Sequence, residues 1–234
     1  VKNNNIIEIG PGKCALTAEL LKRQPKSLHL IEKDKDFVKE LNIKYSQNNL
    51  VKIHNADILK FDLEKIVQKN TNIFGNLPYN ISSQILTKII KFKKWPPNFE
   101  NVVFMFQKEL GERILGKFST SEYGRLSILT NYRMKYLKKF LISSNCFFPK
   151  PKVTSMVIHF QPKKENTYKI NKIENLEKIT NIFFNNKRKI IKKNVEKILD
   201  RSKIAQLSNL NKSLRPSNLK PDIYYKITQL FESD

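Results

Sequence analysis

The sequence predicts an α/β fold, a doubly wound and mostly parallel sheet over residues 1–162 followed by a small all-helical domain over residues 163–234. Three observations carry this prediction. Short apolar runs alternate with helix-patterned segments through Phe106, a glycine-rich turn joins the first run to the first helix, and strand signals stop after Pro162. At 234 residues the chain suits one large domain, or a large domain with a small one.

The elements follow in order. Residues 6–9 (Ile-Ile-Glu-Ile) form an apolar run that ends at Gly10, and a helical pattern covers residues 15–22. Residues 28–31 read as a second strand, and Phe37, Val38, Leu41 and Tyr45 recur at helical spacing. Residues 51–54 give a third strand, and Leu63, Ile66 and Val67 a third helix. A fourth strand over 72–75, a fourth helix over 82–91 and a fifth strand over 102–106 complete the alternation. Residues 136–142 and 153–160 read as two more strands, separated only by a loop with two prolines. They predict an antiparallel pair at the sheet edge. Beyond them the chain is Lys-rich and helical, with residues 163–171 as the linker.

Composition narrows the class. Hydrophobic residues make up 40% of the chain, with 15 Phe and 8 Tyr, which is enough for a packed core. The formal net charge of +23 points to a polyanionic partner, foremost nucleic acid. The excess of Lys over Arg also fits a compositional bias of the genome. Cys14 and Cys146 make neither a disulfide framework nor a metal pattern, and His29, His54 and His159 are scattered, so no metal is expected. No apolar run reaches the length of a membrane span and no signal peptide is visible. A soluble, cytoplasmic, monomeric protein is the expectation. The chain opens at Val1 and enters its first strand almost at once, as an N-terminally short sequence would.

Chemistry concentrates at the carboxyl ends of the strands. Glu8-Ile9-Gly10-Pro11-Gly12 sits at a strand-to-helix turn, where Gly10 and Gly12 permit a sharp turn and close approach to a ligand. The pattern also fits a dinucleotide loop or a tight turn without a ligand. Glu32 ends the second strand, where a carboxylate can accept from ribose hydroxyls. Asp57 follows the third strand and can accept from an adenine amine. Three such loops in register converge on the crevice where open α/β sheets bind nucleotides, which a dehydrogenase would share.

Asn76-Leu77-Pro78-Tyr79, after the fourth strand, separates the readings. An exocyclic adenine amine is a poor nucleophile, because its lone pair is delocalised into the ring. Two acceptors around its N–H bonds favour a more tetrahedral nitrogen. The side-chain oxygen of Asn76 and the carbonyl of Leu77 are suitable. Pro78 stiffens the turn and Tyr79 offers a ring for the base to stack on. Positioning and electrostatics then supply most of the rate, which fits a sequence without an obvious catalytic His.

With Gln107-Lys108-Glu109, Tyr123-Gly124-Arg125-Leu126-Ser127, Phe147-Phe148-Pro149-Lys150-Pro151-Lys152-Val153-Thr154-Ser155, Lys187-Arg188-Lys189 and Leu214-Arg215-Pro216-Ser217-Asn218-Leu219, these motifs make the chain resemble the ribosomal RNA adenine dimethyltransferases of the small subunit. The resemblance runs in order over nearly the whole chain. It implies a Rossmann-like class I methyltransferase domain with a small helical domain. It also implies transfer of two methyl groups from S-adenosylmethionine to each of two adjacent adenosines near the 3′ end of small-subunit rRNA, within an immature subunit. It implies cofactor contacts from Glu8, Gly10, Gly12, Glu32, Asp57 and Asn76, catalysis by Asn76-Leu77-Pro78-Tyr79, and Phe147 as a second wall against the adenine. Cys14 stands where the family usually has a further glycine, with closer contact to cofactor or helix expected. The family's N-terminal Gln-Asn-Phe-Leu-like segment has no counterpart, so weak cofactor binding, or none, is expected of this chain.

Lys187, Arg188, Lys189, Lys192, Lys193 and Lys197 crowd one predicted helix, with Glu196 the single acid among them. A broad basic face there can neutralise phosphates and bind folded RNA by shape. An ordinary solvated Lys-rich face is the plainer alternative. Three functional alternatives remain open at this level: a large-subunit rRNA methyltransferase of the antibiotic-resistance type, an assembly factor with a vestigial site, and a nicotinamide-dependent oxidoreductase.

Overall fold

A computed structural model describes residues 1–147, 153–207 and 210–233. The strands are β1 (Asn5–Ile9), β2 (Ser27–Glu32), β3 (Val51–Asn55), β4 (Thr71–Asn76), β5 (Phe99–Gln107), β6 (Met134–Ile142) and β7 (Ser155–Pro162). The helices are α1 (Ala15–Lys22), α2 (Lys35–Tyr45), α3 (Ser82–Ile90), α4 (Lys108–Ile114), α5 (Arg125–Arg133), α6 (Ile173–Phe184), α7 (Lys192–Ile198), α8 (Arg201–Ala205) and α9 (Pro221–Glu232).

The strands form one sheet in the order β3-β2-β1-β4-β5-β7-β6. Pairing is parallel from β3 through β5 and antiparallel between β5 and β7. This is the doubly wound α/β arrangement expected from the alternation of strands and helices. β1 lies inside the sheet between β2 and β4, all five of its residues buried. The chain order reverses between β1 and β4, which opens a crevice at their carboxyl ends. Leu28 and Leu30 of β2 and Leu41 and Tyr45 of α2 build a core layer with Ile6, Cys14 and Leu20. Asp34 caps α2 by accepting from the amides of Asp36 at 2.8 Å and Phe37 at 3.4 Å. The predicted third helix is only a 3₁₀ turn over Leu63–Lys65, with Leu63 buried beneath it.

The chain divides into two compact units. One comprises Val1–Gly111 and Lys135–Pro162, the other Glu112–Met134 and Lys163–Asp234. The sequence placed the boundary at residue 162, whereas residues 112–134 group with the later helices. Hydrogen bonds explain the grouping. Tyr123 donates to the Leu219 carbonyl at 2.9 Å, and Tyr225 to the Ile128 carbonyl at 3.1 Å. Tyr132 donates to the Tyr168 carbonyl at 3.0 Å and accepts from the Ile170 amide at 3.1 Å, which ties the expected linker to α5. Tyr224, wholly buried, donates to the Pro216 carbonyl at 2.7 Å. The Tyr123-Gly124-Arg125-Leu126-Ser127 motif therefore does structural work. Gly124 starts α5, and Ser127 closes a cap by accepting from the Gly124 amide at 3.0 Å and donating to its carbonyl at 2.8 Å.

Among the described residues no helix is long and apolar enough to cross a membrane. None of them forms a group of three or more His, Cys, Asp or Glu placed to hold a metal ion.

Candidate active site

The β1–α1 turn is built on two glycines in the left-handed region. Gly10 has φ +68° and Gly12 φ +49°, where a side chain is strained. The Gly10 amide donates to the Ile31 carbonyl of β2 at 3.0 Å, holding the loop over the strand ends. Cys14 precedes α1 and is left-handed too, at φ +66°. That is a conformation a glycine adopts without strain and other residues rarely do. Its thiol is 5% exposed and packs into the core with Leu20, Leu41 and Tyr45.

Glu8 is the fourth of the five residues of β1 and is 1% exposed. Thr17 of α1 donates to its carboxyl at 2.7 Å. Burial pushes the carboxyl up to about 7, Thr17 opposes the rise, and the charge of Glu32 adds to it. Glu8 is thus buried beneath the glycine loop and bonded to α1.

Glu32 has more partners than the sequence suggested. Its Oε1 accepts from the amides of Lys33 at 2.8 Å and Asp34 at 2.9 Å, and its Oε2 from the Gly12 amide at 3.2 Å. One carboxylate so fastens the glycine loop to the β2–α2 turn. A carboxylate offers about four acceptor positions. About one stays open, so grasping two ribose hydroxyls requires the longer Gly12 contact to yield.

Asp57 follows β3. Its Oδ1 accepts from the Leu59 amide at 3.0 Å, and its Oδ2 pairs with Lys33 Nζ at 3.0 Å. The Lys33 bond holds the carboxyl below its ordinary range, with the Leu59 amide adding to the effect. Asn55 and Ala56 keep this turn beside β2. The Asn55 side chain donates to the carbonyls of Glu32 and Lys33, both at 3.2 Å, and the Ala56 amide to Glu32 at 2.8 Å.

Asn76, the last residue of β4, is exposed at the crevice, while Leu77 is 2% exposed and anchors the turn that follows. A Cβ on Gly75 would lie 2.5 Å from Leu77 Cδ2 and 3.2 Å from the Ile9 carbonyl, so only glycine leaves room for that anchor. A Cβ on Gly10 would lie 3.9 Å from the Asn76 carbonyl oxygen and 4.0 Å from Pro78 Cδ. The glycine loop and Asn76-Leu77-Pro78-Tyr79 therefore abut. Pro78 accepts from the Ile81 amide at 3.2 Å, and Ser82, buried at the start of α3, donates to the Tyr79 carbonyl at 3.1 Å.

Tyr79 is half-buried, and its hydroxyl shares a 2.6 Å hydrogen bond with Ser155, the wholly buried first residue of β7. Ser155 is opposite Gln107 at the end of β5. This bond sets the ring's orientation across 76 positions of sequence, and nothing local could have announced it. Phe147 follows a short turn over Ser144–Cys146 and is also half-buried. Among the described residues Phe147 and Tyr79 make no direct ring contact. Residues 148–152 of the Phe147–Ser155 motif lie outside the described residues.

The expected basic helix is shorter than the sequence implied. Lys187, Arg188 and Lys189 are exposed but lie in the turn between α6 and α7, and only Lys192, Lys193 and Lys197 are helical. A tertiary bond from the Ile191 amide to the Leu214 carbonyl at 2.9 Å fixes the chain just before α7. All six side chains reach solvent, but Lys189 is not part of a helix face.

These groups fit a nucleoside-containing cofactor with a reactive end. The fit comes from the glycine cradle at the start of α1, acceptors at the ends of β2 and β3, and Asn76 beside Gly10. Comparison with known proteins agrees. The family described as ribosomal RNA adenine dimethylase matches residues 1–233. A ribosomal RNA small subunit methyltransferase A from Pelagibacter ubique is 42% identical over 233 residues, covering 99% of this chain and 88% of that protein. Its namesake from Malacoplasma penetrans is 38% identical over 230 residues, covering 96% and 80%. A dimethyladenosine transferase from Plasmodium falciparum shares the fold, with a TM-score of 0.79 at 24% identity over 97% of this chain and 90% of that one. The 23S rRNA methyltransferase ErmE shares it with a TM-score of 0.69 at 20% identity, covering 100% and 93%. The chain belongs to the ribosomal RNA adenine dimethylase family.

Proposed function

We propose that this protein transfers methyl groups from S-adenosylmethionine to the N6 amines of two adjacent adenosines near the 3′ end of small-subunit rRNA, in the cytoplasm, as a monomer acting on an immature subunit. The abutment of the glycine loop on Asn76-Leu77-Pro78-Tyr79 carries the reading. It puts the candidate amine acceptors next to the cofactor cradle. The small-subunit name of the relatives at 42% and 38% identity favours this substrate over a large-subunit one.

The chain's residues divide the work. Gly10 and Gly12 bring backbone close to the cofactor, and Glu32 and Asp57 accept from its ribose and adenine. When bound, S-adenosylmethionine supplies a methyl group on a sulfonium, already activated for displacement. Asn76 Oδ1 and the Leu77 carbonyl accept from the target amine, draw its nitrogen toward tetrahedral geometry and aim its lone pair. Tyr79, held by Ser155, stacks on one face of the flipped base, and Phe147 covers the other. Once the nitrogen has taken the methyl group its proton is acidic and is lost to water, so the two acceptors only orient the amine and no residue need act as a strong base. The pocket must also admit an amine that already carries one methyl group. Lys187, Arg188, Lys189, Lys192 and Lys193 neutralise phosphates of the folded RNA.

The test is incubation with labelled S-adenosylmethionine and small subunits from a strain that lacks the modification, followed by mass spectrometry of the rRNA. Dimethyladenosine at two adjacent positions of the small-subunit RNA is expected. Label in large-subunit RNA alone, or binding to the subunit without label, would exclude the assignment.

A further inference from the structure

β6 is the edge strand of the sheet, and seven of its nine residues are exposed. Strand alternation puts Tyr136, Lys138 and Phe140 on one face and Lys135, Leu137, Lys139 and Leu141 on the other. Tyr136 is 45% exposed and Phe140 53%. Four residues of extended chain separate the two rings by about 13 Å, which seats two bases rather than one. A lysine stands between them.

Lysines on an edge strand have an ordinary use, because charge discourages pairing with another sheet. That accounts for Lys135, Lys138 and Lys139. It does not account for two half-exposed aromatic rings flanking a lysine on one face, since exposed rings make an edge stickier. The neighbouring charge gives a reason for them. The exposed part of β6 carries Lys135, Lys138 and Lys139 and no Asp or Glu. Such a surface is complementary to a polyanion and carries no negative group to repel one. Alternating stacking rings and cations are the chemistry of single-stranded nucleic-acid binding.

Connectivity points the same way. The C-terminal end of β6 leads, five residues on, to Phe147. β7, beside β6, begins with Ser155, the partner of Tyr79. The strand thus leads to Phe147 and lies beside the strand that carries the partner of Tyr79.

We infer that β6 is a stacking platform for single-stranded RNA. Tyr136 and Phe140 stack on bases flanking the target adenosines, and Lys138 between them neutralises the adjoining phosphate. This rests on the reading of Asn76-Leu77-Pro78-Tyr79 and Phe147 as the adenosine pocket, and it adds a route by which unpaired RNA approaches that pocket.

The test is fluorescence anisotropy of the whole chain with an end-labelled single-stranded oligoadenylate of about ten nucleotides, long enough to cover the platform. The double variant Tyr136→Ala/Phe140→Ala should bind roughly tenfold or more weakly than the parent, and Tyr136→Phe within about twofold of it, because the ring is retained. Lys138→Gln should weaken binding and lower the salt slope by about one. Both rings are exposed, so thermal unfolding of the double variant should match the parent. Unchanged RNA affinity in the double variant overturns the inference, and would leave the edge to strand addition by a protein. A loss for Tyr136→Phe as large as for the double alanine variant also overturns it. Asn76→Ala in the same assay separates the two readings. Loss of methyl transfer with RNA affinity kept supports both. Retained transfer by Asn76→Ala, with affinity lost in the ring variant, sinks the pocket assignment and leaves the platform standing.

Discussion

Glu8→Gln should stabilise the fold near neutral pH and leave it unchanged in acid. The carboxyl sits in β1 between Leu30 of β2 and Phe74 of β4, at 1% exposure. Burial is the main cause of its rise from 4.5 to about 7, with Glu32 adding and Thr17 opposing. At about 1.4 kcal/mol per pH unit, that rise is worth up to about 3 kcal/mol. Because the folded value lies above the unfolded one, the native state holds the proton more tightly. The resulting stability is complete below about pH 4.5 and is lost as pH rises through about 7. Glutamine is neutral throughout and its amide oxygen can still accept from Thr17. The variant should therefore gain up to about 3 kcal/mol on the parent by pH 8 and nothing at pH 4. His29 works in the opposite direction. Burial first, then the charges of His54 and Lys52, push it down to about 4 from 6.5. Its contribution is present above 6.5 and lost as pH falls through about 4, so a raw stability curve mixes the two slopes. The difference between parent and variant isolates Glu8. Urea unfolding followed by circular dichroism across that pH range measures it. A difference that is flat in pH would refute the reasoning.

Three further outcomes follow from the geometry. Ser155→Ala removes the partner of the Tyr79 hydroxyl. A loss of about 1–2 kcal/mol predicts a kcat roughly five- to thirtyfold lower at unchanged cofactor affinity. Tyr79→Phe should cost about the same, and the double variant no more than either alone; full additivity in that cycle would contradict the coupling. In Gly75→Ala the new Cβ meets Leu77 Cδ2 at 2.5 Å and the Ile9 carbonyl at 3.2 Å. Overpacking of this kind costs about 1–3 kcal/mol of stability, and displacement of Leu77 should lower methyl transfer further; a fully active variant would show that the anchor is dispensable. Tyr123→Phe deletes the hydroxyl that donates to Leu219 and should lower unfolding stability by about 1–2 kcal/mol with S-adenosylmethionine affinity unchanged, read by thermal unfolding and calorimetric titration.

Local signals made much of this protein legible in its sequence. α1 coincides with the predicted helix because its apolar period is intact, and the strands β1 to β5 fall within two or three residues of their apolar runs. α5 escaped notice because Ser127, Ile128, Leu129, Thr130, Tyr132 and Arg133 are all buried, so the helix has no polar face to reveal its period. The basic helix was drawn too long because Lys187, Arg188 and Lys189 look helical locally, while the bond from Ile191 to Leu214 fixes where α7 begins. At the candidate site, Gly10, Gly12, Glu32, Asp57 and Asn76 were readable as residue types at strand ends. Their partners were not. Glu32 clamps three amides, Lys33 covers Asp57, and Ser155 aims Tyr79. The contacts of Glu32 with Gly12, of Asp57 with Lys33 and of Tyr79 with Ser155 are tertiary, and their second members carry no sequence mark of the role.

Methyl transfer by Asn76→Ala tests the central claim most directly. The side chain is exposed at the end of β4, so its loss should leave the fold intact. The parent and the variant are each incubated with labelled S-adenosylmethionine and unmodified small subunits, and dimethyladenosine is counted by mass spectrometry. With an amine acceptor gone, transfer should fall by about a hundredfold or more while subunit binding stays within about twofold. Dimethylation by the variant at the parent's rate would contradict the account.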